Sequence, residues 1–156
     1  MANRSVFILA TVMMLLFFLV SNYDRFFFTV HFLESLMYLV ILLLLYYGLE
    51  EWAYVMSFVT PLVWIVLTLL SGTSLMGLRA LAQAVREQRV AFPAEFLSGV
   101  ILVAGIALMG ASGRAFKREV WGRREALRTA VLGTALVGVY YAILIVALLR
   151  LSRPQG

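Results

Sequence analysis

The sequence contains no cysteine, which excludes disulfide bonds, thiolate metal sites and a cysteine nucleophile. It has one histidine, His31, and no Glu-x-x-His motif, so it offers too few ligands for a four-coordinate metal site. Walker loops, kinase motifs, nucleophile elbows, zincin helices and selectivity-filter signatures are also missing. No catalytic residue and no metal-ligand set is therefore assigned, and the sequence favours a protein that is not an enzyme.

Charged residues are also scarce. Only 13% of the 156 residues are charged and 63% are hydrophobic, whereas a soluble domain is about 25% charged and roughly 45–50% apolar. The lipid bilayer is therefore the expected solvent, and residues 1–156 are expected to form a single transmembrane domain. The net charge of +5 comes from arginines beside apolar segments, where they meet lipid headgroups, and no nucleic-acid-binding pattern accompanies them.

Several apolar segments are long enough to cross a bilayer, which requires about 20 helical residues. We predict an all-α, polytopic membrane bundle of five transmembrane helices, with spans at about 5–21, 26–47, 52–70, 94–113 and 127–149. The first segment is longer than a signal-peptide core and lacks a cleavage motif, so we expect an uncleaved span. In the alternative topology, 94–113 is re-entrant and four helices cross the membrane.

An amphipathic helix is predicted between the third and fourth spans, at about 74–90. Its apolar side chains recur at helical spacing, and its polar side chains occupy the other side. The apolar set is Leu75, Leu78, Leu81, Val85 and Phe92, and the polar set is Arg79, Gln83, Arg86 and Glu87. Such a helix lies at the membrane surface, caps the bundle or meets a partner protein.

A basic linker at 114–126 is predicted between the last two spans. The cations in and just after it surround Trp121 and comprise Arg114, Lys117, Arg118, Arg123, Arg124 and Arg128. The cluster is a candidate membrane-surface anchor or a docking site for an acidic partner. Because it is the densest basic cluster, the positive-inside rule favours a cytoplasmic linker and N-terminus, although the two sides carry nearly equal numbers of Lys and Arg.

The second span carries the polar residues that most strongly indicate a functional site. On a helix, His31, Glu34, Ser35 and Tyr38 share one face, and Asp24, one heptad upstream of His31, extends this face toward the water. An ionisable group at such a depth is costly and is by default a functional hypothesis. The spacing of His31 and Glu34 lets an imidazole and a carboxyl share a hydrogen bond, a proton or a cation.

This polar stripe has more than one interpretation. Glu34 is either a proton-exchanging group or a carboxyl that only hydrogen-bonds between helices. A single haem or chlorophyll-type pigment on His31 is a further alternative, because one axial ligand can hold such a group. The sequence requires no cofactor.

Two helix features concern packing. Pro61 lies inside the third span and has no N–H, so a kink that is either tolerated or used for gating is predicted there. In the last span, small residues recur at i+4 spacing in a seam that lets another helix approach closely. This seam comprises Ala130, Thr134, Gly138 and Ala142. We expect it to pack against the fourth span of the same chain, with contact between two chains as the alternative.

These features support three functional hypotheses. The favoured one is a non-enzymatic structural or accessory subunit of a larger membrane complex or homo-oligomer, because the loops are short and the last span carries a small-residue seam. The second is a small proton-linked transporter or channel that uses Glu34 and His31. The third is an electron-transfer subunit that binds quinone, haem or pigment. The expected partners are the lipid bilayer and other membrane subunits or a second copy of the chain.

Overall fold

The structure, a computed structural model, describes residues 3–23, 27–122 and 124–151. These residues form six helices and no strand, so the all-α fold class is confirmed. In chain order the helices are α1 (Arg4–Tyr23), α2 (Phe28–Tyr46), α3 (Glu50–Leu70), α4 (Thr73–Glu87), α5 (Pro93–Glu119) and α6 (Ala126–Leu151).

Five helices are long and apolar enough to cross a membrane, namely α1, α2, α3, α5 and the Ala126–Leu149 part of α6. At 15 residues, α4 is too short for this role. α5 runs unbroken for 27 residues. This corresponds to about 40 Å at the helical rise, so the helix has no break at which a re-entrant segment could turn. A multi-span membrane protein is thus supported by helix length and hydropathy, while the cytoplasmic N-terminus and linker stay predictions.

α5 extends well into the segment that the sequence assigns to a basic linker. It ends at Glu119, so Arg114, Lys117 and Arg118 lie on its last turns instead of in a loop. Lys and Arg are strong helix formers, and cations near a helix C-terminus interact favourably with its dipole. The connection from α5 to α6 is therefore shorter than predicted.

Glycines form the turns that begin and end α3. Gly48 and Gly72 have φ angles of 76° and 78°, in the left-handed region where a side chain would be strained. The tight turn at Gly48 places α2 and α3 antiparallel. We call one end of the bundle the N-terminal end, and it contains the starts of α1, α3 and α6 and the end of α5. The end of α3, all of α4, and the starts of α2 and α5 lie at the opposite end, which we call the α4 end.

α3 and α5 form the centre of the bundle. α5 packs against α1, α3 and α4, and α3 packs against α2, α5 and α6. The side chains buried at these contacts are mostly apolar, and the largest fully buried ones include Phe17, Tyr38 and Tyr54. α6 packs chiefly on α3 and stands apart from α2, which leaves a cavity between them.

The face of α6 that packs on α3 is not the predicted seam. The packed face includes the buried Thr129, Val137 and Tyr141, and a Cβ on Gly133 would lie only 2.7 Å from Val55 Cγ1. In the seam, by contrast, Ala130 is half-buried, and the other three members are exposed: Thr134, Gly138 and Ala142. Packing of this seam against α5 is therefore wrong, because α6 turns the adjacent face, which contains Gly133, inward onto α3. A contact of the seam with a second chain stays a prediction.

α4 packs on α5 through its small residues instead of its apolar stripe. Ser74 and Gly77 are buried, and a Cβ on Gly99 of α5 would overlap the Gly77 carbonyl oxygen. In the predicted apolar set, the exposed residues are Leu75, Leu78, Val85 and Phe92. The amphipathic stripe therefore points away from the bundle, and its contact with lipid or with a partner stays a prediction.

Candidate functional site

His31 and Glu34 form a pair near the start of α2. The His31 Nδ1 atom lies 3.1 Å from Glu34 Oε2, because residues three apart face each other on a helix. Glu34 is buried, with 3% of its surface exposed, whereas His31 is half-buried. The structure thus brings together the two residues that the sequence singled out. Asp24, the third ionisable residue of the stripe, lies outside the described residues.

The other two residues of the stripe contribute differently. The Ser35 hydroxyl donates a 2.7 Å hydrogen bond to the Phe32 carbonyl oxygen, so it is occupied by its own helix. Tyr38 is fully buried and stacks on Phe17, with ring centroids 5.5 Å apart. Its hydroxyl has no hydrogen-bond partner among the residues that the structure describes.

The pair lines a cavity of about 370 Å³ between α2, α3 and α6. The walls are largely apolar and include Trp64 and Leu67 of α3 and Leu144 of α6. At the α4 end the lining becomes polar, with Thr68, Ser71, Thr73 and Ser74. These hydroxyls are hydrogen-bonded to one another: Ser74 donates to Thr68 Oγ1 at 2.6 Å, and the hydroxyls of Ser71 and Thr73 are 2.9 Å apart. The cavity therefore leads from a polar rim to a buried carboxyl.

α6 places two tyrosines opposite the pair. The Glu34 carboxyl is close enough to Tyr140 and Tyr141 to interact electrostatically with both, as it does with Tyr38 on its own helix. Tyr141 lines the cavity, and its hydroxyl donates to the Thr60 carbonyl oxygen at 3.3 Å. The sequence analysis did not assign Tyr141 to the site, although a tyrosine in the middle of an apolar span was a signal that could have found it.

Comparison with protein-family models, with curated proteins and with solved structures finds no match. Among the described residues, no group of three or more His, Cys, Asp or Glu side chains is placed to hold a metal ion. A haem or pigment on His31 stays a prediction that a visible absorption spectrum of the purified protein would test.

A second polar network lies at the N-terminal end of the bundle. The Tyr54 hydroxyl donates to Glu119 Oε2 at 2.7 Å and accepts the backbone N–H of Asn3 at 3.1 Å. The other carboxylate oxygen of Glu119, Oε1, accepts from Arg118 Nη2 at 2.6 Å. This network ties the start of α1 to α3 and α5, and it connects a fully buried tyrosine to a half-buried carboxylate.

The basic cluster surrounds this end of the bundle. Its described members are all exposed and comprise Arg114, Lys117, Arg118, Arg124 and Arg128. Trp121 among them is 68% exposed, while Arg123 lies outside the described residues. Exposed cations near an exposed indole in the chain are typical of a membrane-surface anchor, and both this role and docking of an acidic partner stay predictions.

α3 continues through Pro61 without interruption. The pyrrolidine ring has no N–H, so the Ser57 carbonyl lacks its usual helical donor. A Cβ on Gly105 of α5 would lie 3.3 Å from Pro61 Cβ, which shows how closely α5 packs there. The predicted kink and its gating role are not established by this geometry and remain predictions.

Proposed function

We propose that this chain is a small proton-linked transporter or channel in which Glu34 exchanges the proton and His31 is its hydrogen-bond partner. The observation that carries the proposal is the cavity, because it connects a polar rim at the α4 end with the buried pair. Without such a cavity, a buried pair on α2 would be adequately explained by helix packing.

The chemistry of the pair suits proton exchange. A lone ionised carboxylate within the membrane is costly, and a neighbouring imidazole at 3.1 Å offers a group that can share or take the proton. The titratable groups that face Glu34 are His31 and Tyr38 on α2 and Tyr140 and Tyr141 on α6. All four can hydrogen-bond to a carboxyl or to a cation bound beside it.

The dimensions of the cavity fit a small solute. A volume of about 370 Å³ lies at the lower end of the range of small-molecule sites, roughly 300–1,000 Å³. Apolar walls exclude most water, and the few polar groups at the rim and the base give a passing solute its hydrogen bonds. The cavity is therefore large enough to hold a small polar or cationic solute beside the Glu34 carboxyl.

Replacing Glu34 by glutamine tests this proposal. The substitution keeps the size and the hydrogen-bonding capacity of the side chain but removes its exchangeable carboxyl proton. In liposomes that enclose a pH-sensitive dye, with a potassium ionophore present to prevent charge build-up, we expect a pH gradient to drive proton flux through the wild type. Glu34→Gln should lower that flux about tenfold or more.

The matched control is Glu87→Gln. Glu87 lies at the exposed end of α4, where its Oε1 accepts a hydrogen bond from Gln83 Nε2 at 3.2 Å, so the same chemical change should leave the flux unaltered. An unchanged flux in Glu34→Gln, or a wild type that conducts no protons under any gradient, would contradict the proposal.

A subunit or homo-oligomer is the second candidate, and one observation favours it. The seam of small residues on α6 faces outward, and nothing in the described chain lies within 4 Å of a Cβ placed on Gly138. Small residues on an exposed helix face allow the backbone of another membrane helix to approach closely. The seam therefore suits contact with a second copy or with another membrane subunit.

Gly138→Ile tests this second candidate. A branched side chain forced into a close helix contact costs about 1–3 kcal/mol, which corresponds to a roughly tenfold or greater loss of association. The mass of the particle in mild detergent should fall to that of the monomer. Gly110→Ile on α5 is the control, because Gly110 is also exposed and also has open space around it. Equal masses for wild type, variant and control would exclude a role of the seam in assembly.

A further inference from the structure

Five buried hydroxyl groups have no hydrogen-bond partner among the described residues: those of Tyr38 on α2, Ser57 and Thr60 on α3, Ser112 on α5 and Tyr140 on α6. Tyr140 is half-buried, whereas the other four residues are fully buried, at 0% exposure. A buried polar group left without a partner costs about 1–3 kcal/mol, so five of them in one bundle require an explanation.

Pro61 adds another polar group to this region. It leaves the Ser57 carbonyl without its helical donor, directly beside the Ser57 and Thr60 hydroxyls. The Tyr141 hydroxyl reaches the same stretch of α3 through its 3.3 Å hydrogen bond to the Thr60 carbonyl oxygen. The centre of the bundle therefore contains several oxygens that can bind internal water, which typically fills such polar sites.

Tyr38, Thr60 and Ser57 lie at depths between the two polar sites already described, with Tyr38 and Thr60 at about the same depth. At the helical rise of about 1.5 Å per residue, Glu34 lies about 9 Å from the start of α2, and Tyr38 lies about 15 Å from it. The end of α3 lies at the α4 end of the bundle, as does the start of α2. Measured from the end of α3, Thr60 is about 15 Å deep, Ser57 about 20 Å and Tyr54 about 24 Å. Tyr54 then donates to Glu119, whose carboxylate meets Arg118 at the N-terminal end.

We propose that Tyr38, Thr60, Ser57 and Ser112, with water bound between them, form a proton relay from the Glu34–His31 pair to the Tyr54–Glu119 pair at the opposite end of the bundle. The relay deepens the proposed function and rests on it, because it supplies the second half of the path that the cavity begins. It assigns a role to Glu119 and Tyr54 that the cavity alone does not suggest.

The chemistry of the relay is a series of proton transfers. Each hydroxyl or water accepts a proton on a free lone pair and releases its own proton to the next oxygen, so only O–H bonds form and break. The proton enters from the Glu34 carboxyl and leaves from the Glu119 carboxyl to solvent. Nothing is oxidised or reduced. Rotation of each hydroxyl and water then returns its O–H bond to the starting direction, and Glu34 takes up a new proton from the cavity.

Thr60→Val is the first test, in the liposome assay described above. Valine has almost the same shape as threonine but has no hydroxyl, so we expect proton flux to fall about tenfold. Thr60→Ser restores the hydroxyl and should restore the flux. Ser57→Ala is an independent second variant, expected to lower the flux in the same way, and it keeps the test informative should Thr60→Val fold poorly.

Ser21→Ala is the matched control. Ser21 is equally buried, but its hydroxyl donates to the Phe18 carbonyl oxygen at 2.7 Å and lies on α1, away from the relay. We expect this change to leave the flux at the wild-type value. Thermal unfolding in detergent, measured on every variant, reports whether each one is folded.

The possible results separate the relay from the function on which it rests. Flux that disappears in Glu34→Gln but persists in folded Thr60→Val and Ser57→Ala would overturn the relay and leave the proposed function standing. A higher melting temperature without loss of flux would show that the hydroxyls are merely unsatisfied and would also overturn the relay. A wild type without proton flux would overturn both.

Discussion

Phe17→Ala is expected to be the most destabilising single substitution in the core. Phe17 is fully buried on α1, its ring stacks on Tyr38 of α2, and it meets Trp64 of α3 edge-on with ring centroids 5.5 Å apart. Truncation of a buried phenylalanine to alanine typically costs about 3–5 kcal/mol, because packing is lost and a cavity remains. Thermal unfolding in detergent should show a large fall in melting temperature.

The adjacent residue provides the control for this prediction. Phe18 is 49% exposed on the outer side of α1, so Phe18→Ala should change the melting temperature far less. Because the Phe17 ring also lies 6.2 Å from the His31 ring, a folded Phe17→Ala protein should show reduced proton flux as well. Similar melting temperatures for the two variants would show that the α1–α2–α3 junction is not packed as described.

Gly99→Val should separate α4 from α5. A Cβ at Gly99 would overlap the Gly77 carbonyl oxygen and lie 3.1 Å from Leu81 Cβ, so both partners would have to move. The Gly77 carbonyl oxygen belongs to the backbone, which cannot rotate away as a side chain can. Overpacking of this kind costs about 1–3 kcal/mol and occasionally more. We expect α4 to become sensitive to limited proteolysis and the melting temperature to fall.

Gly110→Val is the control on the same helix. Gly110 is exposed and has no atom within 4 Å of the position that a Cβ would take, so the same substitution meets open space there. Both variants exchange glycine for valine inside α5, which makes the change in helix propensity common to the two. If Gly99→Val were as stable and as protease-resistant as Gly110→Val, the close contact between α4 and α5 would be disproved.

Most of the fold could be predicted from the sequence because the bilayer leaves few alternatives. A segment that crosses lipid must satisfy its backbone hydrogen bonds internally, so a long apolar run indicates a helix almost irrespective of its neighbours. Gly48 and Gly72 marked the turns on either side of α3 for a similarly local reason. The end of α5 was harder to predict, since Arg114 and Lys117 suit a surface loop and a helix C-terminus equally well.

The face that each helix turns inward could not be predicted with the same ease. α6 carries a glycine on each of two adjacent faces, Gly133 and Gly138, and the small-residue spacing around Gly138 favoured the wrong face for packing within the chain. In α4 the aliphatic stripe was conspicuous, yet Gly77 is the residue that contacts α5. These choices depend on the shape of a partner helix that is distant in sequence.

Some features of the candidate site could likewise be predicted from the sequence, and others could not. The contact between His31 and Glu34 is local to one helix turn, so spacing alone predicted it. The position of Tyr141 within an apolar span was a local signal, but its contact with Thr60 and the cavity between α2 and α6 depend on three helices that are far apart in sequence. The sequence could not predict that the Ser57 and Thr60 hydroxyls lack partners among the described residues, because this depends on how the helices pack.

The position of α6 at the edge of the bundle has a mechanical consequence. α6 rests mainly on α3, whereas α1, α2, α3 and α5 are held together by contacts that do not involve it. A sideways displacement of α6 would therefore widen the space beside Glu34 while the other four long helices kept their mutual packing. The size of the molecule that the cavity can admit thus depends on the contact between α3 and α6, where a Cβ on Gly133 would lie only 2.7 Å from Val55 Cγ1.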